Sequence, residues 1–182
     1  MAHSEFRNRL ISLANENSGN PSGFLENLSD IHDDWHGTTP RTYGFLLFHH
    51  RLVRYFNTIV NQGWNLNLTG YTSAELQGMG VVDAPATANI DTLGELSSYS
   101  ARIEGWHNTA HGRIGNATGV PMMDARQNIF FVPFWKLHLY IENRFQTCLQ
   151  QYGTSVHPNQ FLNVTSISGH IEAGHHSWVV RI

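Results

Sequence analysis

Cysteine, lysine and long apolar runs are scarce in this 182-residue sequence. The single cysteine, Cys148, excludes an internal disulfide framework and any thiolate-rich zinc or iron–sulfur site. Lysine occurs once, at Lys136, and the 11 lysines and arginines face 14 acidic residues without forming a basic cluster. Nucleic acid and anionic membranes are therefore not expected as partners. No segment approaches the roughly 18 consecutive apolar residues of a membrane span.

A signal peptide is also missing from the given N-terminus, because the polar stretch 1–20 lacks the charged-then-apolar pattern. We therefore expect a cytoplasmic protein. A hydrophobic share of 41% over this length predicts one domain, residues 1–182, with a substantial core. Histidine, by contrast, is abundant: 12 histidines outnumber all lysines and arginines together. This excess makes a metal site the first hypothesis.

Apolar periodicity predicts an all-α fold built as a four-helix bundle around a dinuclear metal site. The predicted helices cover residues 22–36, 43–61, 98–114 and 133–152. Pro133 suits a first helical turn, and Gly37 and Gly153 are stop signals. Residues 62–97 are rich in Gly, Thr, Asn and Ala, which predicts a long irregular excursion over a functional site. The tail, 155–182, alternates weakly and is expected to form short strands or a covering loop.

Six histidines fall on the apolar faces of the four predicted helices. They are His32, His36, His49, His107, His111 and His138. Any one of them alone is more often a hydrogen-bonded or edge histidine than a ligand. Six unpaired imidazoles in one apolar interior, however, would each carry a desolvation cost. A metal ion removes this cost by using the lone pairs, so we predict that most of the set binds metal.

The ligand types narrow the choice of metal. Neutral imidazole suits copper, zinc, iron and nickel. Two His-x3-His pairs and two single histidines divide into two sites of three histidines each. An all-nitrogen pocket without bridging carboxylates favours a soft ion of low charge such as Cu(I). The prediction is therefore two copper ions, each with open coordination positions for dioxygen.

Three segments carry a family resemblance. Residues 45–57 read Phe-Leu-Leu-Phe-His-His-Arg-Leu-Val-Arg-Tyr-Phe-Asn, and residues 104–112 read Glu-Gly-Trp-His-Asn-Thr-Ala-His-Gly. The third segment consists of Met123-Asp124 and residues 130–143, which read Phe-Phe-Val-Pro-Phe-Trp-Lys-Leu-His-Leu-Tyr-Ile-Glu-Asn. The first resembles the copper-A signature of tyrosinases, and its register selects His49 rather than His50 as the ligand. The other two resemble the start and the third segment of copper B, the latter in its arthropod haemocyanin form. The chain thus resembles the type-3 copper family of tyrosinases, catechol oxidases and haemocyanins.

This resemblance implies one copper at the first three histidines and the other at the last three. It implies an enzyme that uses dioxygen to oxidise catechols to quinones, with ortho-hydroxylation of monophenols. In tyrosinases, the asparagine after the first copper-B histidine helps a glutamate hold a water that takes the phenol proton. Asn108 matches that asparagine, and Glu104 and Glu95 are candidates for the glutamate. The expected partners are dioxygen and a small phenolic or catecholic substrate.

Two alternatives stay open. A carboxylate-bridged di-iron or di-manganese bundle uses Glu-x-x-His pairs, which Glu104 and His107 fit and Asp33 and His36 half fit, but the second helix has no inward carboxylate. A non-catalytic carrier of dioxygen or copper would have the same ligands. Haemocyanins block phenol access with additional domains, for which this chain has no length, so we favour the enzyme.

The histidines outside the set are expected to lie in solvent or, for His50, at the edge of the site. They are His3, His50, His157, His170, His175 and His176.

Overall fold

The computed structural model describes residues 5, 7, 8, 29, 32, 33, 35–37, 44–57, 65–87 and 92–152. These contain four α-helices, namely α1 (Gly44–Phe56), α2 (Ser73–Gly78), α3 (Leu93–Thr118) and α4 (Val132–Tyr152), with a single 3-10 turn at Asn128–Phe130. Residues 32, 33 and 35–37 are also helical and are called the first helical segment below. The described residues include no strand, which confirms the all-α class for this part of the chain. The predicted tail and its histidines lie outside it.

The start of α3 was predicted five residues too late. The helix begins at Leu93 because Thr92 and Glu95 form a capping box, in which the Glu95 amide donates to the Thr92 hydroxyl and the Thr92 amide donates to the Glu95 carboxylate. This polar signal precedes the apolar stripe from which the prediction was made. The helix ends where Gly119 takes a φ of 73° and donates its amide to the Gly115 carbonyl.

The excursion at 62–97 is more regular than predicted. Thr72 and Glu75 form a second capping box at the start of α2, while 65–72 and 79–87 are irregular. Hydrogen bonds connect the excursion to α4 and α3. The Tyr71 amide donates to the Lys136 carbonyl, and the Trp106 indole donates to the Val82 carbonyl. Lys136 also pairs with Glu75 at 2.8 Å.

The core lies where α1, α3 and α4 pack against one another. Rings dominate it, and Phe56 and Trp135 stack with their centroids 3.9 Å apart. The tryptophans next to the predicted ligands, Trp35, Trp106 and Trp135, are buried in this core. None of the helices in the described ranges has the length and apolar character needed to cross a membrane. The same packing directs one face of each element towards a common interior, where the site lies.

Gly70 is required where the excursion crosses α4. A Cβ atom there would lie 2.6 Å from the Tyr140 nitrogen and 2.9 Å from the Leu139 carbonyl carbon, so the backbone would have to move. We expect Gly70→Ala to lower the free energy of unfolding by about 1–3 kcal/mol in urea denaturation. Gly105→Ala is the matched control, because an added Cβ at this exposed position of α3 meets no described atom within 4 Å. It should stabilise by about 0.5–1 kcal/mol, and equal effects at the two positions would contradict the packing.

Candidate metal centre

The six predicted ligands come together in one place, here called the histidine cluster. Its members are His32 and His36 from the first helical segment, His49 from α1, His107 and His111 from α3, and His138 from α4. Five of them are no more than 4% exposed, and His36 is half-buried. Ring centroids lie 4.1 Å apart for His107 and His111, and 4.7 Å apart for His49 and His138. Helical periodicity therefore placed the correct faces inward.

Hydrogen bonds orient five of the six rings through Nδ1. Four rings donate to backbone carbonyls: His32 to Ala125 (2.9 Å), His49 to Phe45 (2.8 Å), His111 to Met122 (2.5 Å) and His138 to Phe134 (2.8 Å). The fifth, His107, donates to the side-chain Oδ1 of Asn108 (3.2 Å). A carbonyl oxygen can only accept, so Nδ1 carries the proton and Nε2 keeps its lone pair. Metal-binding histidines are oriented in this way in proteins generally.

The Nε2 atoms crowd one another inside the cluster. His107 and His138 have their Nε2 atoms 3.1 Å apart, and both Nδ1 atoms are already donors, so two lone pairs face each other in the neutral rings. The Nε2 atoms of His32 and His36 are 3.0 Å apart. Donors about 2.0 Å from a tetrahedral metal ion are separated by about 3.3 Å, close to both distances.

A proton is a poor substitute for a metal ion between these nitrogens. Burial, followed by repulsion from neighbouring histidines, holds the pKa of His49, His107 and His138 well below 6.5. Burial also lowers the pKa of His111 to about 4. The Nε2 atoms of His49 and His111 are buried and have no hydrogen-bond partner within the described part of the chain. The buried imidazoles of His49, His107, His111 and His138 are therefore neutral at physiological pH, with lone pairs that a cation fits.

Two groups of three histidines have ligand atoms close enough to hold a metal ion. His32, His36 and His49 form one, which is the predicted first site, and His49, His107 and His138 form the other. Within each group the ligand atoms lie within 4.8 Å of one another. The second group has His49 in the place predicted for His111, whose ring lies 5.5 Å from that of His138. The histidine groups could thus hold a metal ion.

Sequence analysis missed the loop between α3 and α4 as the support of the cluster. The Asn128 amide, 2% exposed, donates to the Met122 carbonyl that also accepts from His111. The Ser29 hydroxyl donates to the Arg126 carbonyl, and Arg126 pairs with Asp33 at 2.7 Å. These bonds tie the loop to Ser29 and to the first helical segment, and so position the carbonyls that hold His32 and His111.

One residue of this loop, Asp124, could have predicted a turn there from the sequence. The Asp124 carboxylate accepts from the amides of Arg126 and Gln127, 3.0 and 3.2 Å away. An aspartate that accepts from amides two and three residues later typically begins a turn. Recognising it would have placed a turn before α4, although it does not indicate which carbonyls the histidines reach.

The candidate catalytic residues Asn108, Glu104 and Glu95 lie at different distances from the histidine cluster. Asn108 is exposed beside the cluster, with its Oδ1 accepting from His107. Glu104 is half-buried, one helical turn before His107, and does not line the pocket beside the cluster that is described next. Glu95 is committed to the capping box, about 18 Å from His107 along α3, so it is wrong as a candidate base. His50 lies outside both metal-capable groups and pairs with Glu142 at 2.8 Å.

A pocket of about 200 Å³ opens beside the cluster. It is lined by three cluster histidines, two asparagines and three apolar residues, namely His36, His107, His111, Asn108, Asn128, Met122, Met123 and Ala125. The excursion was predicted to cover the functional site, but none of its described residues lines this pocket. Its apolar side chains Leu76 and Val81 are buried in the core instead, and the loop before α4 borders the pocket.

Comparison of the chain with protein-family models, with curated proteins and with solved structures gives no match.

Proposed function

We propose that this chain is a type-3 copper oxidase that uses dioxygen to oxidise catechols to quinones and hydroxylates monophenols at the ortho position. His32, His36 and His49 would hold one copper ion, and His107, His111 and His138 the other, inside a four-helix bundle completed by the first helical segment. One observation carries the proposal: imidazoles from four helical segments, most held through Nδ1, direct unprotonated Nε2 atoms into one buried space.

The donor set favours copper over the carboxylate-bridged alternatives. Both metal-capable groups consist of imidazoles alone, with no aspartate or glutamate from the described residues in either. Di-iron and di-manganese bundles require inward carboxylates from several helices. Asp33, which half fitted that pattern, is paired with Arg126 instead. Neutral nitrogen ligands in an apolar interior suit copper.

Copper, when bound, would supply the activation of dioxygen and take part in two-electron oxidation of the substrate. The chain's own residues surround the cluster histidines and fix the orientation of their rings. The ring of Phe134 lies 4.0 Å from that of His138, and Phe45 lies 4.8 Å from His107, so apolar rings surround the ligands. The low dielectric that results keeps the imidazoles neutral and ready to bind metal.

The pocket supports turnover rather than storage alone. A cavity of about 150 Å³ is enough to hold benzene, so a pocket of about 200 Å³ has room for one small ring. Three cluster histidines line it, which brings such a ring next to the ligands. Copper-loaded protein should therefore produce quinone from catechol, followed by absorbance. Reversible dioxygen binding without any quinone would instead support a carrier.

Asn108 is proposed to assist phenols in particular. A phenol has a pKa near 10 and must lose its proton on binding, whereas a catechol needs only access. The Oδ1 of Asn108 accepts from His107 and has a second lone pair that can hold a proton-accepting water. We expect Asn108→Ala to lower the monophenol rate about tenfold more than the catechol rate. Asn116→Ala, also exposed on α3, should change neither, and an equal fall in both rates would reduce Asn108 to a support for His107.

A further inference from the structure

Met123 is the most unusual residue at the mouth of the pocket. It is 70% exposed, and among the described residues only Val82 is another large hydrophobic side chain with comparable exposure. Its sulfur lies against α3, because a Cβ added at Gly112 would be 3.9 Å from the Met123 Sδ. Gly112 directly follows His111 in the sequence. The thioether is thus held beside a cluster ligand while remaining open to solvent.

Exposure falls in steps from Met123 to the interior of the cluster. Met123 and the half-buried His36 line the same pocket as His107 and His111, which are at most 4% exposed. A metal ion that entered here would meet a solvent-facing thioether, then a partly exposed imidazole, then buried imidazoles. This order of side chains offers the ion a ligand at each step of its movement into the cluster.

The backbone around Met123 keeps this arrangement fixed. The Met122 amide donates to the Val120 carbonyl at 2.8 Å, and the Asp124 amide donates to the Pro121 carbonyl at 3.2 Å. The Met122 carbonyl in turn accepts from two side chains, His111 and Asn128. Met123 is therefore presented by a loop that is bonded on both sides and also supports the cluster.

Resting on the copper function proposed above, we propose that Met123 is an acquisition site that captures Cu(I) at the pocket mouth and passes it to the histidine cluster. A thioether is a soft, uncharged ligand that suits Cu(I), whereas Zn(II) in proteins is bound by thiolates, imidazoles and carboxylates. One such ligand binds weakly, which suits an ion that must move on. Met123 is thus a loading ligand and not part of the final copper centre.

The test is the rate at which metal-free protein takes up metal. Cu(I) is supplied without oxygen as its coloured bicinchoninate complex, and the loss of colour is followed in the parent and in Met123→Leu, which keeps the side-chain size. We expect Cu(I) uptake to be about tenfold slower in the variant, equivalent to about 1.4 kcal/mol in the activation free energy of uptake. The final copper content and the rate of Zn(II) uptake should be unchanged.

Met79→Leu is the matched control, because Met79 ends α2 and packs on the core rather than lining the pocket. It should load Cu(I) like the parent. Equal Cu(I) rates in the parent and Met123→Leu overturn the inference, and so does an equal slowing of Cu(I) and Zn(II), which would indicate altered access. A parent that binds no copper overturns the proposed function itself, and the inference falls with it. Normal copper content with unchanged rates refutes only the role of Met123.

Discussion

His138→Ala is expected to abolish metal binding at its site and all catechol oxidation. The ring is 1% exposed, its Nδ1 donates to the Phe134 carbonyl, and its Nε2 lies 3.1 Å from that of His107. It also stacks with His49, so it contacts ligands from two other helices. Alanine provides no ligand atom in this position. Metal content per chain and quinone formation are the measurements, and His107→Ala should behave in the same way.

Loss of a buried ring also leaves a cavity, so folding must be checked separately. Circular dichroism and urea unfolding show whether the variant remains helical and cooperative. His50→Gln is the matched control, because His50 is equally buried on α1 but pairs with Glu142 rather than joining the cluster. It should lower stability while leaving metal content unchanged. His176→Ala, outside the described residues, should change neither. Full activity in His107→Ala or His138→Ala would refute the ligand assignment.

The metal-free protein is expected to lose stability steeply as pH falls from about 6.5 to 4. Burial lowers the pKa of His32, His49, His107, His111 and His138, so the folded state holds them neutral. Below 6.5 the unfolded chain binds protons that the folded chain does not, and the equilibrium moves towards unfolding. For His111, with a folded pKa of about 4, the loss is about 3 kcal/mol.

Urea unfolding of metal-free protein at pH 7.5, 6.5, 5.5 and 5.0 tests this expectation. Lys136 lowers the pKa of Glu75 from 4.5 to about 2, so protonation of Glu75 affects stability only below about pH 5. Measurements at or above pH 5.0 therefore report the histidines and not Glu75. Bound metal should raise the free energy of unfolding at each pH but leave the slope at least as steep, because it also keeps the folded imidazoles unprotonated while the unfolded chain still binds protons. A free energy of unfolding that is constant over this range would mean that the imidazoles are solvated or already protonated.

Much of the site follows from helical periodicity. His49 and His138 lie in apolar stripes that start at Phe45 and Phe134, and each ring bonds back to the carbonyl of that residue four positions earlier. Such contacts are local to one helix, so they follow once periodicity has placed His49 and His138 on the inward faces. The same applies to the helix starts, where the capping boxes at Thr72 and Thr92 could have corrected the prediction.

The remaining parts depend on contacts that the sequence does not encode locally. His32 and His111 bond to the carbonyls of Ala125 and Met122, and a backbone carbonyl has no residue type by which to recognise it. The partition of ligands between metal ions depends on the relative rotation of α1, α3 and α4. This rotation brings His49 beside His107 and His138, a grouping that spacing along one helix cannot predict.

The number of copper ions bound per chain is the decisive measurement for a two-copper centre. Metal-free protein is loaded with Cu(I) without oxygen, freed of excess metal and analysed by elemental mass spectrometry against protein concentration. We expect two copper ions per chain, reduced to no more than one in His138→Ala. Protein that binds no copper, or that retains two copper ions after loss of His138, would contradict this expectation.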